Sequence, residues 1–235
     1  MSNQASKQQP KQRIVIYGGS GFVGSHIAEG LSQQDEFCVL CLSRTGHKPT
    51  HLRDSSWSEK VRWCEGDALN PDHGVLTSAD VLIVSIGSPP IPTLSQGAFD
   101  AQLRQNGESN KTVIEAALAA GVTRLVLIGA HMPSFLKQDW FAYAKGKQIA
   151  LSAAENFANA SSAHQAMVLQ PGVVSGVRYT NSGIAINLRG LLMPLAALMP
   201  SQVTKIERIV DRCVDFVDKP SGYNEGLSVF AQEKI

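Results

Sequence analysis

A short apolar run followed at once by three evenly spaced glycines constrains this chain more than any other stretch. The run Ile14–Tyr17 shows no polar alternation, which is typical of a strand buried on both faces. Gly18, Gly21 and Gly24 come next, and apolar residues then recur at helical spacing. The stretch therefore predicts a strand, a tight turn and a helix, the first half of a βαβ unit.

This glycine turn has the properties of a dinucleotide-binding turn. In such turns the first glycine permits the bend, the second lets backbone approach a pyrophosphate, and the third lets the helix pack closely on the sheet. Free N–H groups and the dipole at the start of the helix favour phosphate charge. An ordinary strand–helix turn is the alternative. The cofactor contacts predicted here are Gly18, Ser20, Gly21, Phe22, Val23 and Gly24.

Length and composition predict a single globular α/β domain. The chain has 235 residues, 43% of them apolar, and a formal net charge of +1, which gives no basic field for nucleic acid. We expect residues 1–12 to form a flexible tail without the apolar region of a secretory signal, and residues 13–235 to form the domain. No apolar window reaches the ~18 residues of a transmembrane helix.

The cysteines and histidines indicate neither a disulfide framework nor a metal site. Cys38 and Cys41 lie three residues apart in a predicted strand, so their side chains point to opposite faces. Free thiols suit a reducing compartment. The six histidines show no ligand spacing with acids or cysteines. We expect no metal and a cytoplasmic location, or the mitochondrial matrix if the source is eukaryotic.

The end of the second predicted strand, Phe37–Leu42, bears on the choice of cofactor. No Asp or Glu lies between Phe37 and His51, where NAD-binding folds place an acid for the ribose 2′-hydroxyl. Ser43 and Arg44 stand there instead and suit a 2′-phosphate. The sequence therefore favours NADP(H) over NAD, and a solvent-facing arginine in a turn is the alternative.

Several later stretches, together with the GxxGxxG spacing, resemble the extended or atypical short-chain dehydrogenases/reductases. This superfamily includes sugar-nucleotide epimerases and NmrA-like regulators. The matching stretches follow one another in the superfamily's order: Gly66-Asp67 after a third predicted strand, Asn106 with the helical run 111–117, the run Ala120–Val126, and Gln170-Pro171-Gly172 after a sixth strand. Gln170 replaces the usual arginine.

The resemblance implies further cofactor contacts. Asp67 and Ala68 would meet the adenine, and Pro171, Gly172 and Val173 would face the nicotinamide amide. Asp67 could equally cap the next turn. Gly87, at the end of a central predicted strand, lets a cofactor lie against bare backbone.

Tyr143 and Lys147 match the reactive pair of the superfamily. Their spacing of four places both on one helical face. A free phenol titrates near ~10, and a nearby ammonium lowers that pKa. The lysine would also hold the nicotinamide ribose. Where the superfamily carries a serine or threonine after strand five, this chain has Gly129 or Ala130, with only His131 and Ser134 near. Members without that hydroxyl include regulatory and structural proteins.

The C-terminal part predicts a small apolar cap or substrate lobe over residues 175–202. Ile184–Pro200 is almost wholly apolar, Arg189 is its only charge, and Pro194 breaks any long helix. A surface for a lipid-like or quinone-like ligand is one interpretation, and a core helix pair or a dimer face is the other. The compact lobe resembles the NDUFA9-like, coenzyme-Q-associated group.

The predicted fold is a Rossmann-type α/β domain, a doubly wound parallel sheet with a small C-terminal helical cap. Remaining strands are expected at 61–65, 81–86, 125–128, 166–170 and 226–230, and helices at 98–120, 145–160 and 203–217.

The predicted function is an NADP(H)-binding atypical short-chain oxidoreductase acting on a small apolar carbonyl or alcohol, with Tyr143 as acid/base and Lys147 as its support. One alternative is a non-catalytic NADP(H)-binding structural or redox-sensing protein. Another is a sugar-nucleotide epimerase or dehydratase, against which the short lobe argues. The resemblance also suggests a homodimer through the fourth and fifth helices.

Overall fold

Seven of the strands occur where the sequence predicts them, and most of these are short apolar runs; the four short strands between residues 173 and 205 were not predicted. A computed structural model describes residues 11–132, 139–180, 183–188, 202–223 and 225–235, apart from the side chain of residue 233. The strands are β1 (Gln12–Tyr17), β2 (Phe37–Ser43), β3 (Arg62–Glu65), β4 (Val81–Val84), β5 (Arg124–Ile128), β6 (Gln165–Gln170), β7 (Val173–Ser175), β8 (Val177–Tyr179), β9 (Ala185–Asn187), β10 (Val203–Lys205) and β11 (Gly226–Ala231).

Helices connect the strands of the main sheet and lie on both of its faces. They are α1 (Phe22–Ser32), α2 (His73–Thr77), α3 (Gln96–Leu103), α4 (Ser109–Ala119), α5 (Ala142–Ala158) and α6 (Ile206–Asp218). Gly121 follows α4 with φ +85°, the left-handed conformation that ends helices and favours glycine. The predicted position of this stop is confirmed.

The main sheet has seven parallel strands in the order β11-β6-β5-β4-β1-β2-β3. The chain runs outward from β1 through β2 to β3, then returns to add β4 on the other side of β1. The point between β1 and β4 is the switch point at which doubly wound sheets bind ligands. The predicted Rossmann-type α/β fold is confirmed.

Two hydrophobic cores cover the two faces of this sheet. Ile14 and Ile16 of β1 pack in one core with α1 and α6. Val15 and Tyr17 alternate with them and pack in the other core with α4 and α5. Because neighbouring residues of a strand point to opposite faces, one apolar run supplies both cores.

The long helix predicted over 98–120 contains a local irregularity. Between α3 and α4 lies a five-residue π-turn, Arg104–Glu108. Such turns widen a helix by one residue and are frequent at functional sites. Asn106 and Gly107 are buried within it, on the side of the helix that faces the ends of the central strands.

The C-terminal part departs from two of the sequence-based expectations. The helix predicted over 203–217 begins only at Ile206, because Val203–Lys205 form β10, which pairs with β7. In the segment predicted as a helical cap, β8 and β9 form an antiparallel hairpin. Residues 181–182 and 189–201 of that segment, like residues 1–10 of the predicted tail, lie outside the described residues. Gln12, expected in the tail, already belongs to β1.

Arg124 joins the main sheet to the end of α6. Its guanidinium donates hydrogen bonds to the carbonyl oxygens of Phe216 and Val217 and lies over the Phe216 ring, 4.9 Å from the centroid. These carbonyls belong to the last turn of a helix, where they have no partner within the helix and where the dipole favours a cation. Burial lowers the pKa of Arg124, and the side chain remains a cationic cap because guanidinium pKa values are so high.

We expect Arg124→Met to lower the free energy of unfolding by about 1–3 kcal/mol, because buried helix carbonyls lose their donors while the apolar stem is kept. Urea unfolding followed by circular dichroism measures this change. Arg62→Met, which alters an exposed arginine on β3, is the control. Equal unfolding midpoints for the two variants would contradict the capping role.

Candidate active site

The glycine turn lies at the carboxyl end of β1, at the switch point. Gly18 has φ +82°, and a Cβ atom there would stand 2.5 Å from the carbonyl oxygen of Ser85, just beyond β4. A Cβ atom at Gly24 would overlap the carbonyl oxygen of Gly18. Glycine is therefore required at both positions, at the first for its conformation and at the last for close packing.

The first turn of α1 is open to an anion. Gly21 is the N-cap residue and supplies no side chain to cap the helix. The N–H groups of a first helical turn have no partner within the helix, so they can donate to a ligand phosphate. Phe22 and Val23 begin the helix, and Ser20 is half-buried in the turn before it. The backbone geometry of this turn is compatible with the phosphate site, which stays a prediction.

The turn after β2 carries Ser43 and Arg44. The Ser43 hydroxyl accepts a hydrogen bond from the N–H of Gly46 at 3.2 Å, and the Arg44 side chain is exposed. Gly46 has φ +66°, and a Cβ atom there would lie 2.6 Å from the Glu65 nitrogen, so this turn packs against the end of β3. The backbone at Arg44 thus lies near the ends of β2 and β3, and its role toward an adenosine ribose stays a prediction.

Asp67 uses its carboxylate locally. Its Oδ1 accepts a hydrogen bond from the N–H of Leu69 at 2.9 Å, which closes an Asx-type turn after β3. Ala68 is half-buried against the core beside it. The capping alternative therefore describes one contact of this carboxylate, and its role toward adenine stays a prediction.

Lys147 reaches the ends of two central strands. Its Nζ donates hydrogen bonds to the carbonyl oxygens of Ile128 at 3.1 Å and Ile86 at 3.4 Å. A Cβ atom on Gly87 would lie 3.3 Å from this Nζ and 3.1 Å from Oδ1 of Asn106. The bare backbone of Gly87 therefore allows β4, the π-turn and α5 to meet at one point.

The π-turn supplies an amide network to the same point. The N–H of Ser88 donates to Asn106 Oδ1 at 3.1 Å, and Asn106 Nδ2 donates to the Ser88 hydroxyl at 2.7 Å. Asn110 Nδ2 donates to the carbonyl oxygen of Ile86 at 3.3 Å. These two asparagines fix the loop after β4, and therefore one of the two carbonyls that hold Lys147.

Tyr143 lies one turn before Lys147 on α5, on the same face. The lysine Nζ is 5.9 Å from the centroid of the tyrosine ring. The ring is 9% exposed and packs with Phe141, Ala144, Ala130 and Met132. The expected pairing on one helical face is present in the structure.

Burial sets the protonation of this pair. It raises the pKa of Tyr143 to about 12 and lowers the pKa of Lys147 to about 8. A nearby ammonium was expected to lower the tyrosine pKa, and in this structure burial outweighs that effect, because the apolar surroundings disfavour the charged form of both groups. The lysine is balanced by carbonyl dipoles rather than by a carboxylate.

A small cavity of about 60 Å³ lies beside Lys147, between the ends of β5 and β6. Its lining includes Lys147, Gln148, His131, Met132 and Gln170. Gly129 and Ala130, which occupy the position where the superfamily carries a serine or threonine, also line the cavity. Among the described residues, the polar groups that line this cavity come from His131, Gln170, Gln148 and Lys147, and Ser134 lies outside the described residues.

The exit of β6 borders the same cavity. The N–H of His131 donates to the carbonyl oxygen of Pro171 at 2.8 Å. The N–H of Gly172 donates to the Thr204 hydroxyl at 3.2 Å, and Val173 is exposed at the start of β7. Backbone around Pro171 thus lies near the catalytic candidates, whereas Arg44 and Asp67 lie at the β2 and β3 ends of the same edge.

Sequence reasoning missed two features of the site. Asn110 repeats Asn106 at a spacing of four, and a second buried amide on an otherwise apolar helical face is a signal that the sequence does contain. Gly107 and Gly146 let two helices touch, since a Cβ atom on Gly107 would lie 2.9 Å from the Gly146 Cα. This close contact between the π-turn and α5 becomes visible only in the three-dimensional structure.

The chain belongs to the NAD(P)H-binding family, whose model matches residues 18–184. It is 34% identical over 196 residues to an uncharacterized chloroplastic protein of Arabidopsis thaliana, a match that covers 81% of this chain and 60% of that relative. The chain thus spans well under two thirds of the relative's length.

Two groups of solved structures share the fold. The UDP-glucuronic acid 4-epimerase of Bacillus cereus in complex with NAD superposes with a TM-score of 0.68 at 14% identity, covering 93% of this chain and 78% of the epimerase. The NAD-dependent NDP-hexosamine 5,6-dehydratase TunA gives a TM-score of 0.67 at 19% identity, covering 94% of this chain and 75% of TunA. The resemblance to the extended short-chain dehydrogenase/reductase superfamily is confirmed at the level of fold.

The described part of the chain contains neither a cluster of metal ligands nor a membrane-spanning helix. No group of three or more His, Cys, Asp or Glu side chains there is arranged to hold a metal ion. Among the same residues, no helix has the length and apolar character needed to cross a bilayer.

The lowered pKa of Lys147 predicts a pH-dependent stability. Because the folded value is near 8 and the usual value is 10.5, the folded chain releases this proton first. The cost of burying the ammonium is therefore fully present below pH 8 and is relieved as the pH rises toward 10.5. We expect the stability of the wild type relative to Lys147→Met to rise by about 2 kcal/mol between pH 7 and pH 10.

Urea unfolding at several pH values measures the difference in unfolding free energy between the wild type and Lys147→Met. The contributions of the other titrating groups are the same in both proteins and cancel in this difference. Lys145→Met, which removes an exposed lysine of the same helix, is the matched control. A pH dependence no larger than that of the control would show that Lys147 is not buried as described.

Proposed function

We propose that the chain binds NADP(H) along the carboxyl edge of its sheet and acts as an atypical short-chain oxidoreductase on a small apolar carbonyl or alcohol. The observation that carries this proposal is the placement of Lys147 against Gly87, at the switch point that begins with the glycine turn. One continuous edge thus offers a phosphate site at one end and a proton-transfer pair at the other.

The residues of this edge fit a dinucleotide. Gly18 and Gly24 bring bare backbone to the start of α1, whose first N–H groups suit a pyrophosphate. Gly87 lets Lys147 and Asn106 come close to bare backbone at the middle of the edge. Arg44 is exposed on a turn without acids, which favours the 2′-phosphate of NADP(H) over the free hydroxyl of NAD.

A bound nicotinamide would supply two-electron redox chemistry, and the chain's own contribution is proton transfer. Tyr143 would give or take a proton at its phenolic oxygen. With a pKa near 8, Lys147 is still roughly nine-tenths protonated at pH 7. Its ammonium is thus available to stabilise a developing phenolate, which an apolar pocket alone would not do.

His131 and Gln170 stand beside the cavity where the substrate oxygen would lie. Both can donate a hydrogen bond to a carbonyl oxygen, the task that a serine or threonine performs elsewhere in the superfamily. Met132 and Leu127 make the rest of the lining apolar. This lining supports a small apolar substrate.

We expect Tyr143→Phe to lower kcat by about 10²–10⁴-fold in NADPH-dependent reduction of a carbonyl panel, because the acid/base group is lost. The Kd for NADPH should change little. Tyr223→Phe is the control, because its hydroxyl contacts Asp215 at the far end of α6. Full activity of Tyr143→Phe on a proven substrate would refute the acid/base role.

We expect Arg44→Ala to raise the Kd for NADPH by about 10–100-fold, as loss of one charge-assisted phosphate contact predicts. The Kd for NADH should stay unchanged. Calorimetric titration of both cofactors measures this, with Arg62→Ala on β3 as the control. Equal losses for NADPH and NADH would contradict a role for Arg44 in recognising the 2′-phosphate.

A non-catalytic NADP(H)-binding role is the second candidate, as a structural or redox-sensing protein. Two observations favour it: Gly129 and Ala130 provide no hydroxyl, and burial raises the pKa of Tyr143. Tight NADPH binding without turnover on any carbonyl, in the wild type as in Tyr143→Phe, would identify this role.

A sugar-nucleotide epimerase or dehydratase is the third candidate, supported by the shared fold. UDP-sugar binding measured in the presence of the cofactor separates it from the other two. The NDUFA9-like affiliation, a homodimer and a cytoplasmic or mitochondrial location remain predictions; the four cysteines are free thiols, as a reducing compartment requires.

A further inference from the structure

The β8–β9 hairpin has two distinct faces. Its register pairs Arg178 with Ile186 and Tyr179 with Ala185. Directly opposite residues of an antiparallel pair lie on the same face. Ile184 lies two residues before Ile186 and therefore shares its face. Arg178, Ile184 and Ile186 thus make up one face, the outer face, and Tyr179 belongs to the other.

The inner face is docked on the body of the protein. The Tyr179 ring stacks on His51, with centroids 3.9 Å apart and planes 5° from parallel. A Cβ atom on Gly183, in the hairpin turn, would be 3.9 Å from the Thr50 side chain. These contacts fix which face of the hairpin points outward.

The outer face exposes large apolar side chains. Ile184 is 65% exposed and Ile186 is 41% exposed, and Arg178 beside them is exposed as well. Ile184 and Ile186 thus leave apolar side-chain surface open to solvent on this face. An apolar face rimmed by a cation is typical of a surface that meets a partner.

Charge indicates what kind of partner this is. From Asn156 to Ile206 the sequence contains no Asp or Glu, although the whole chain has 20 acids in 235 residues. Arg178, Arg189 and Lys205 lie in this stretch. The segment on which the hairpin docks is also free of acids, from Phe37 to Arg53. The hairpin stretch therefore carries positive charge without acids in sequence, whereas in its support Lys48 is ion-paired with Glu59 and Asp54 directly follows Arg53.

We propose that the outer face of the β8–β9 hairpin docks on a bilayer surface that contains anionic phospholipid. Ile184 and Ile186 would enter the boundary between headgroups and acyl chains, and Arg178 would lie among the phosphates. Shallow docking needs no helix that crosses the bilayer. A second copy of this chain fits less well, because a twofold contact would bring the arginine-bearing, acid-free faces together.

Vesicle flotation tests the docking. We expect the full chain to float with mixed phosphatidylcholine–phosphatidylserine vesicles and to stay behind with vesicles of phosphatidylcholine alone. The double variant Ile184→Asp/Ile186→Asp should lose about tenfold or more of this binding, because apolar burial and charge both become unfavourable. Arg178→Glu should weaken binding and reduce its sensitivity to salt.

Leu94→Asp is the matched control, since Leu94 is a fully exposed leucine on the loop before α3. Ile184→Ser serves as a milder variant if the double variant fails to fold, as judged by urea unfolding. The proposal is overturned if the wild type does not bind anionic vesicles, or if the hairpin variants bind these vesicles as tightly as the Leu94→Asp control. It is overturned equally if the double variant abolishes a dimer in size-exclusion chromatography and leaves vesicle binding intact.

Discussion

The close crossing of α5 over the π-turn is the contact on which the rest of the site depends. A Cβ atom on Gly146 would stand 2.8 Å from the Cβ of Asn106, so only bare backbone allows the two helices to approach this closely. Lys147 is the next residue, and the approach brings its Nζ to the carbonyls of Ile86 and Ile128. An extra methyl group at the crossing would have to move α5 outward, and the lysine with it.

This crossing also explains the electrostatics of the pair. Lys147 is held by carbonyl dipoles in a partly desolvated position. Desolvation destabilises its ammonium form by more than the carbonyl dipoles stabilise it, so the pKa of Lys147 falls to about 8. Tyr143 is shielded by the same packing, and its pKa rises to about 12. Both groups are therefore shifted toward their neutral forms, and a ligand that adds negative charge nearby would shift the lysine back toward ammonium.

The spacing of apolar residues and glycines along the sequence predicted those parts of the fold that depend on residues close together in the chain. The glycine turn and the placement of Tyr143 and Lys147 on one helix follow from local patterns, whereas the order of the strands across the sheet does not. The helix predicted over 203–217 was wrong at its start, because Val203–Lys205 pair with distant β7 and a segment of only three residues fits either period. The π-turn and the sign of the tyrosine pKa shift depend on which helices touch, and no local pattern encodes that.

The turn and loop after β2 carry both a predicted cofactor contact and the residue that supports the β8–β9 hairpin. Arg44, which would meet the cofactor phosphate, and His51, which supports Tyr179, lie in one stretch without acids. Gly46 anchors this stretch against Glu65 at the edge of the sheet, so its position is set by the Rossmann core. A single basic connection can therefore serve phosphate at the cleft and hold the hairpin with its apolar face outward. The β8–β9 hairpin is thus supported by the loop after β2, through the stacking of Tyr179 on His51.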